Sequence, residues 1–220
     1  ASLYAYSDEA NRDLPKAAEA FQNAADRGDA WSMIGLAQML AQGNGVPADF
    51  ARAVSLLDQA IAAGLAGPAG KAAGDLYATG PEENRDLAKA LSYYQLASAA
   101  GDGSAGLAVA EIQAGSEGPA QAQASIADHL ASATKLLGAS EVAKAMFNVS
   151  PPSSLYVMVQ ALLVDLGYKV TVDGIYGAKS QQAVTSFCQE KQIAPCPSRI
   201  VAIGVLTELL NSVATGRQGA

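Results

Sequence analysis

Side chains that could catalyse a reaction or hold a metal ion are few in this sequence. His129 is the only histidine, and the sequence contains no cluster of metal ligands around it. The acidic pair Glu82 and Glu83 lies in a turn and is typical of a solvated loop. No serine–histidine–aspartate arrangement, zinc-protease helix or glycine-rich phosphate loop is readable. We therefore expect a non-catalytic protein with no metal and no cofactor.

The two cysteines, Cys188 and Cys196, flank a segment rich in helix breakers at residues 192–195. An oxidising compartment would join them in a disulfide. The alternative is a pair of free thiols in a cytosolic protein. A redox or metal role is disfavoured, because there is no CxxC motif and no histidine nearby.

Composition favours an all-helical protein. Half of the 220 residues are hydrophobic, but only 6% are aromatic and many are alanine, the strongest helix former. A net charge of −7 disfavours binding to nucleic acid or to anionic membranes. The sequence has neither an apolar run of membrane-spanning length nor a signal-peptide pattern. We expect that a signal was removed or that the chain is part of a longer protein.

A pattern of residues recurs along the first half of the chain at offsets of 36 and 37 residues. The aligned sets are Asp13, Asp49 and Asp86; Phe21, Leu57 and Tyr94; Ala24, Ala60 and Ala97; and Gly28, Gly64 and Gly101. Leu40 and Tyr77 each precede the next aligned aspartate by nine residues. Such a period indicates a repeat protein.

Each aligned set has a role in a pair of helices. The aspartate caps the start of a helix, where it favours the positive end of the helix dipole. The alanine and large apolar positions form one helix face, and the glycine ends the helix in a left-handed conformation. A second helix is predicted at residues 30–41 and 68–78, and residues 43–47 form a turn. One helix pair cannot bury both of its faces, so the pairs are predicted to stack.

This pattern resembles the Sel1-like repeat family, most closely at residues 36–50 with their Gly-Asn-Gly-Val turn and following aspartate. Ala37 and Leu40 replace the glycine and tyrosine of the family pattern, and Gly74 and Tyr77 restore them in the next copy. The resemblance implies a tetratricopeptide-like solenoid that binds another protein.

We assign the repeat array to residues 1–147, with a degraded last copy at residues 104–137 that lacks its capping aspartate. An atypical last repeat is expected, because one of its faces meets no neighbour. Tyr4 falls in the last turn of a helix that would begin before Ala1. We therefore expect the chain to start inside a repeat, as a piece of a longer protein.

The pattern changes after Phe147. Residues 148–154 contain two prolines and three serines and predict a linker. A small domain follows at residues 155–213, and residues 214–220 are predicted to be a flexible tail. Its three predicted helices are a first that stops at Gly167, a second at about 178–191 and a third at about 203–213.

Residues 155–213 resemble the peptidoglycan-binding domain that is often appended to cell-wall enzymes. The matching positions are Val159 and Gln160; Leu166, Gly167 and Tyr168; residues 173–177; Ser180; Ala183 and Val184; and Phe187. Cys188 replaces the usual glutamine, which fits a local disulfide with Cys196. A second family loop survives only as Gly204 and Thr207. The resemblance implies a three-helix fold that binds peptidoglycan.

The 173–177 loop has two interpretations. In the structural one, Gly174 and Gly177 supply positive φ angles, Asp173 caps the turn and Tyr176 fills the core. In the functional one, the loop lines a shallow groove for glycan or stem peptide. The residues predicted for peptidoglycan binding are Gln160, Tyr168, Asp173, Gly174, Tyr176, Gly177 and Gln182, with Gln160, Tyr168, Tyr176 and Gln182 as the preferred contacts.

These observations predict a non-catalytic periplasmic scaffold. Its repeats would bind an unidentified envelope protein, with Trp31 either packed between helices or part of that contact. Its last domain would bind peptidoglycan. The order of modules also resembles the periplasmic end of alphaproteobacterial polar scaffold proteins, which implies a coiled coil and a membrane span upstream. The alternatives are the targeting region of a cell-wall hydrolase, with its catalytic domain outside this chain, and a periplasmic exopolysaccharide regulator.

Overall fold

The computed structural model describes residues 13–115, 119–148, 152–196 and 202–216, and these ranges are helical and contain no strand. The predicted all-helical fold is therefore confirmed. The helices are α1 (Leu14–Ala25), α2 (Ala30–Gln42), α3 (Phe50–Ala62), α4 (Ala66–Thr79), α5 (Leu87–Ala99), α6 (Gly103–Gly115), α7 (Pro119–Leu137), α8 (Ala139–Phe147), α9 (Pro152–Asp165), α10 (Ala178–Glu190) and α11 (Ile203–Gly216), with a 3-10 turn at Glu82–Asn84.

The chain forms two compact units, an N-terminal unit that ends at Asp102 and a C-terminal unit that begins at Gly103. The expected partial repeat around Tyr4 lies outside the described residues.

Aspartate side chains cap the first helix of each pair in the N-terminal unit, as predicted. The carboxylates of Asp13, Asp49 and Asp86 accept hydrogen bonds from the backbone N–H three residues later, at 2.9–3.1 Å. Lys16 lowers the pKa of Asp13 through a side-chain and a backbone hydrogen bond. The hydrogen bond from the backbone N–H of Lys89 lowers the pKa of Asp86. Asp29 caps α2 in the same way, by a bond of 3.0 Å. The aspartates therefore satisfy N–H groups that a helix leaves unpaired at its start.

Left-handed glycines end the first helices of the pairs. Gly28, Gly64 and Gly101 have φ angles of +88°, +98° and +91°, which confirms the prediction. A Cβ at these positions would meet no atom within 4 Å, so the backbone conformation, and not crowding, requires glycine. The N–H of the next residue closes the helix end on the carbonyl of Ala24, Ala60 or Ala97 at 3.0–3.1 Å.

A backbone hydrogen bond explains the nine-residue spacing in the repeat. The N–H of Asp49 donates to the carbonyl of Leu40, and the N–H of Asp86 donates to that of Tyr77, each at 3.0 Å. This bond closes the turn between the second helix of one pair and the first helix of the next. The recurrence of a large residue at this spacing therefore reflects a closed loop that fixes where the next pair begins.

Small residues form much of the core of the N-terminal unit. Ala17, Ala53 and Ala90 are fully buried at the same position of three successive first helices. One large side chain on each of these helices, Phe21, Leu57 or Tyr94, is buried beside them. Alanine permits the close approach of neighbouring helices, and the buried residues of α1 to α4 form one hydrophobic cluster.

Two glycines on second helices make room for aromatic rings. A Cβ at Gly35 would lie 2.7 Å from the ring of Phe21, and one at Gly74 would lie 2.6 Å from the ring of Tyr94. The Tyr94 hydroxyl donates to Asp75 at 2.7 Å, and Lys71 pairs with the other oxygen of that carboxylate at 2.7 Å. The ring of Tyr94 is therefore held at both its face and its hydroxyl.

The C-terminal unit has one core that crosses the predicted linker. Large buried side chains from α7 and α8 join those from α9 and α11 in a single cluster: Ile126, Leu130 and Met146 with Met158, Leu162, Leu163, Leu206, Leu209 and Leu210. Helix α9 packs against α6 and α7, and α11 packs against α7 and α8 as well as α9. Residues 103–147 therefore share their core with the C-terminal helices.

The helix bounds and the compact units differ from the predicted domain boundaries at three places. Helix α9 begins at Pro152, inside the predicted 148–154 linker, because Ser154 and the residues after it are buried in the core. Helix α11 continues to Gly216 instead of ending at Val213, because Ala214 is also buried. The compact units also divide near residue 102, whereas the predicted array runs to residue 147. A proline–serine segment marks a local break in a helix, but packing decides which helices share a core.

Substitution of Gly74 by alanine tests the packing of Tyr94. The new methyl group would overlap the ring, so Tyr94 must move and weaken its bond to Asp75. We expect a loss of about 1–3 kcal/mol in the free energy of unfolding, the usual cost of overpacking a core. Urea unfolding followed by circular dichroism measures it.

Gly67→Ala is the matched control on the same helix. A Cβ there would meet its nearest neighbours at 3.9–4.0 Å, which is ordinary contact. The change in the free energy of unfolding is expected to stay below about 1 kcal/mol, because alanine favours the helix. Equal losses for the two variants would contradict a specific fit between Gly74 and Tyr94.

Candidate functional site

Gln160 anchors the 173–177 loop from inside α9. The residue is 1% exposed, and its side-chain oxygen accepts hydrogen bonds from the backbone N–H of Asp173 at 3.0 Å and Gly174 at 2.9 Å. Its side-chain nitrogen lies 2.9 Å from the Asp173 carboxylate and 3.0 Å from both the Ile175 carbonyl and the Ser180 hydroxyl. The sequence predicts Gln160 as a ligand contact, whereas the structure directs its whole amide into the fold. Gln160 positions the loop and does not present a group to a ligand.

Asp173 belongs to the same network, although its side chain is exposed. Its carboxylate accepts a hydrogen bond from the backbone N–H of Ile175 at 2.9 Å, which fits the structural interpretation of this residue. That bond, followed by the one from Gln160, lowers the pKa of Asp173. A lowered pKa in the folded state means that this contribution to stability is lost as the pH falls through that pKa.

The two loop glycines differ in their roles. Gly174 has a φ of +72°, as predicted, but Gly177 has a φ of −95° and precedes α10 in extended backbone. The prediction of a positive φ at Gly177 is therefore wrong. The reversal of the chain is completed at Gly174, and Gly177 leads directly into the helix.

Tyr176 packs inward instead of facing a ligand. Its ring lies 5.3 Å from that of Tyr156 and packs against the core of the C-terminal unit. Its hydroxyl is buried and has no hydrogen-bond partner among the described residues, and burial raises its pKa. Ile175 beside it is 69% exposed, so the tip of the loop presents an apolar side chain that the motif did not single out.

Tyr168 and Gln182, two of the preferred contact residues, lie in one shallow groove. The groove has a volume of about 220 Å³, and its lining residues are Tyr168, Lys169, Lys179, Gln182, Ala183 and Ser186. The chain turns out of α9 at Gly167, which has a φ of +89°. Tyr168 and Lys169 therefore lie beyond the end of the helix. The other four lining residues are spaced three, four and seven apart on one face of α10. The structure thus brings together two of the predicted contacts and adds two lysines.

Tyr168 is fixed as one wall of this groove. Its ring meets the edge of the Phe187 ring at a centroid distance of 6.3 Å, and its hydroxyl donates to Glu190 at 2.6 Å. Burial and the Glu190 bond raise the pKa of Tyr168 to about 12, so the hydroxyl stays protonated at neutral pH. Since that hydroxyl is already paired, the ring is what Tyr168 offers to a ligand.

Lys169 and Lys179 are the charged residues of the groove, and the sequence analysis did not identify them. They directly neighbour two motif positions, Tyr168 and Ser180, which was a signal of their location. Residues 155–213 contain four basic and four acidic residues, so this part of a −7 chain is formally neutral. This local balance of charge was a second signal in the sequence for a role of the two lysines.

A disulfide joins Cys188 and Cys196, as expected for an oxidising compartment, with their Cα atoms 5.9 Å apart. It connects the last turn of α10 to the segment that follows it. Cys188 is buried against the core, and Cys196 packs on that core partly exposed. The bond therefore holds the 191–196 segment against the helix that carries the groove.

His129 and Trp31 are further residues that the sequence analysis singled out. Within the described ranges, no three His, Cys, Asp or Glu side chains lie together as a metal-binding group. His129 is half-buried, and burial lowers its pKa. Trp31 is 62% exposed, so the prediction that it packs between helices is wrong. None of the helices in the described part of the chain is both long and apolar enough to cross a membrane.

The N-terminal unit thus belongs to the class of helical-repeat solenoids built from capped helix pairs. The model of the Sel1 repeat family matches residues 1–29, 32–65 and 71–102. Residues 1–102 are therefore similar to Sel1 repeats, and the matched segments cover less than half of the 220 residues. No curated protein matches it at a significant level.

The solved structures that share this fold include two that are similar over nearly the whole chain. One is c5321, a protective antigen present in uropathogenic Escherichia coli strains that displays an SLR fold, with a TM-score of 0.53 and 16% identity. This similarity covers 96% of the chain but only 43% of the antigen, so the chain spans less than half of that protein. The other is a Sel1 repeat protein from Oxalobacter formigenes, with a TM-score of 0.53, 15% identity and coverage of 98% and 84%. At these identities the similarity establishes the fold alone.

Replacement of Gln160 by leucine tests its role as an anchor. Leucine keeps the volume but leaves the N–H groups of Asp173 and Gly174 without their acceptor. We expect a loss of about 1–3 kcal/mol in the free energy of unfolding and faster hydrogen exchange at these two amides. Gln182→Leu is the matched control, because Gln182 is exposed and makes none of these bonds. Unchanged exchange in Gln160→Leu would contradict the anchoring role.

Removal of the disulfide tests the attachment of the 191–196 segment. The double variant Cys188→Ala and Cys196→Ala is expected to lose about 2–3 kcal/mol in the free energy of unfolding, the effect of closing a short loop. The measurement is thermal or urea unfolding of both proteins with and without reductant. Reductant should destabilise the parent protein and leave the double variant unchanged. A parent protein indifferent to reductant would contradict a formed disulfide.

Proposed function

We propose that this chain is a non-catalytic scaffold of the bacterial envelope, in which the Sel1 repeats bind a protein partner and the C-terminal helices bind peptidoglycan. The observation that carries the proposal is the groove beside Tyr168, which lies next to a loop that Gln160 holds rigidly in place. A preorganised groove of mixed polarity suits a ligand with several hydrogen-bonding groups.

Peptidoglycan offers amides, hydroxyls and carboxylates along a repeating polymer. The groove offers an aromatic ring from Tyr168, an amide from Gln182, a hydroxyl from Ser186 and two ammonium groups. Each of these groups has a complementary group on the polymer. A single shallow groove binds weakly, but a polymer presents many copies of its ligand, which raises the effective concentration.

Sel1 repeats mediate protein–protein interaction, and the fold is typically a non-catalytic interaction scaffold. In this chain, a depression of about 430 Å³ lies between α2 and α4, with the polar residues Gln38, Gln42, Asp75 and Thr79 beside the apolar Leu76 and Pro81. The exposed Trp31 lies in the first turn of α2 and is an additional candidate for a contact, because tryptophans are frequent in binding hot spots. Both features favour a protein partner on the repeat unit.

The proposed compartment is the periplasm. The disulfide is compatible with it, because disulfides persist in oxidising compartments. The order of modules also resembles the periplasmic region of the polar scaffold protein PodJ. The proposal accordingly includes a role in organising polar structures of the cell envelope. No nucleic-acid partner is expected for so acidic a chain.

Co-sedimentation of the purified full chain with sacculi tests the wall-binding function. We expect the chain to pellet with sacculi in a saturable manner and Gln182→Ala to weaken this binding several-fold. Gln189→Ala is the control, because it removes an exposed glutamine of the same helix that does not line the groove. A full chain that pellets no more than an unrelated acidic protein would overturn the proposal.

A further inference from the structure

We propose that Lys169 and Lys179 form a carboxylate-binding subsite, so that the chain recognises the stem peptides of peptidoglycan and not its glycan strands. This inference rests on the proposed peptidoglycan-binding function and names the part of the polymer that is bound. Neither lysine belongs to the motif on which the resemblance was based.

The two lysines approach the groove from different segments of the fold. Lys169 follows the left-handed turn at Gly167, and Lys179 lies in the first turn of α10. Both side chains line the same depression and are exposed. The ion pairs found in the described part of the chain involve other lysines, so neither ammonium group is neutralised by a carboxylate within 4.0 Å there.

The acidic groups near the groove already have partners inside the fold. The Glu190 carboxylate accepts a hydrogen bond from the Tyr168 hydroxyl at 2.6 Å. The Asp173 carboxylate accepts from Gln160 and from the backbone of Ile175 at 2.9 Å each. The two lysines are the charged groups that line the groove, and the charge of Lys179 also helps to lower the pKa of Asp173. An anionic group is the complementary occupant.

The volume of the groove favours a terminal group over a sugar chain. At about 220 Å³ it is smaller than the usual 300–1,000 Å³ range of pockets for drug-sized ligands. A peptide carboxylate with its adjoining amide fits such a space, and Gln182 and Ser186 provide hydrogen bonds for the amide. The free carboxylates of peptidoglycan are on its stem peptides, so the chemistry of the groove assigns the contact to these peptides.

The negative charge of the whole chain makes the two lysines important for attraction to an anionic polymer. With a net charge of −7, the protein is repelled by an anionic polymer at long range. The two lysines provide local attraction in a formally neutral part of the chain. Exposed ion pairs contribute roughly 0.2–1 kcal/mol each and are screened by salt. Binding should therefore weaken as ionic strength rises.

The test compares charge-matched variants of the full chain on two forms of sacculi. The test variant carries Lys169→Gln and Lys179→Gln, and the control carries Lys135→Gln and Lys191→Gln, which remove two exposed lysines outside the groove. One batch of sacculi is native, and in the other the carboxylates are converted to methylamides. Matching urea-unfolding curves establish that both variants are folded.

We expect the parent chain and the control to bind native sacculi equally, and the test variant to bind about 2- to 30-fold more weakly, the effect of losing two such ion pairs. The parent chain should bind methylamidated sacculi as weakly as the test variant binds native ones. Lys169→Arg with Lys179→Arg should retain most of the binding, because the positive charge is kept.

Three results would overturn the subsite. They are equal binding of the parent chain to native and methylamidated sacculi, a test variant that binds like the parent chain, and a control that loses as much affinity as the test variant. In each of these three cases, binding of the parent chain to native sacculi would still support the wall-binding function. Failure of the parent chain to bind either form would instead overturn the proposed function itself.

Discussion

Alanine-rich helices bury little apolar volume, and this constraint determines both units of the protein. A helix whose core-facing positions are mostly alanine gains too little from burial to be stable alone. In the N-terminal unit, Ala17, Ala53 and Ala90 occupy the same buried position in successive helix pairs. Stability must therefore come from contacts between neighbouring pairs, which depend on caps and turns that keep every pair in the same register.

The C-terminal unit meets the same constraint with larger side chains. Helices α6 to α8 are again rich in alanine, but Ile126, Leu130 and Met146 contact leucines and a methionine from α9 and α11. Helix α9 packs against α6 and α7. The same helix contains Gln160, which anchors the 173–177 loop. The candidate groove consequently depends on helices well before the segment that resembles a peptidoglycan-binding domain.

The sequence predicted most of the repeat fold, because its signals are local. An aspartate cap and a left-handed glycine act on backbone groups within a few residues of themselves. Asp49 and Gly64 therefore predicted where α3 begins and ends. The period of 36–37 residues then related one pair of helices to the next.

The features that the sequence did not predict depend on contacts between distant segments. Gln160 was expected to face a ligand, because a motif gives its position but not the groups that surround it. Lys169 and Lys179 are ten residues apart and share a groove only because of the turn at Gly167 and the loop before α10. The prolines and serines at 148–154 predicted a linker, but no local pattern showed that the helices before and after it share a core.

Native-state amide hydrogen exchange at increasing denaturant concentration tests the shared core most directly. We predict that the slowest amides of α7 and α8 open with the same free energy as those of α9 and α11, because one core holds all four helices. The contradicting result would be residues 155–213 retaining full protection under conditions in which α7 and α8 have already exchanged. These residues would then fold as an independent domain, and the groove would not depend on the helices that precede it.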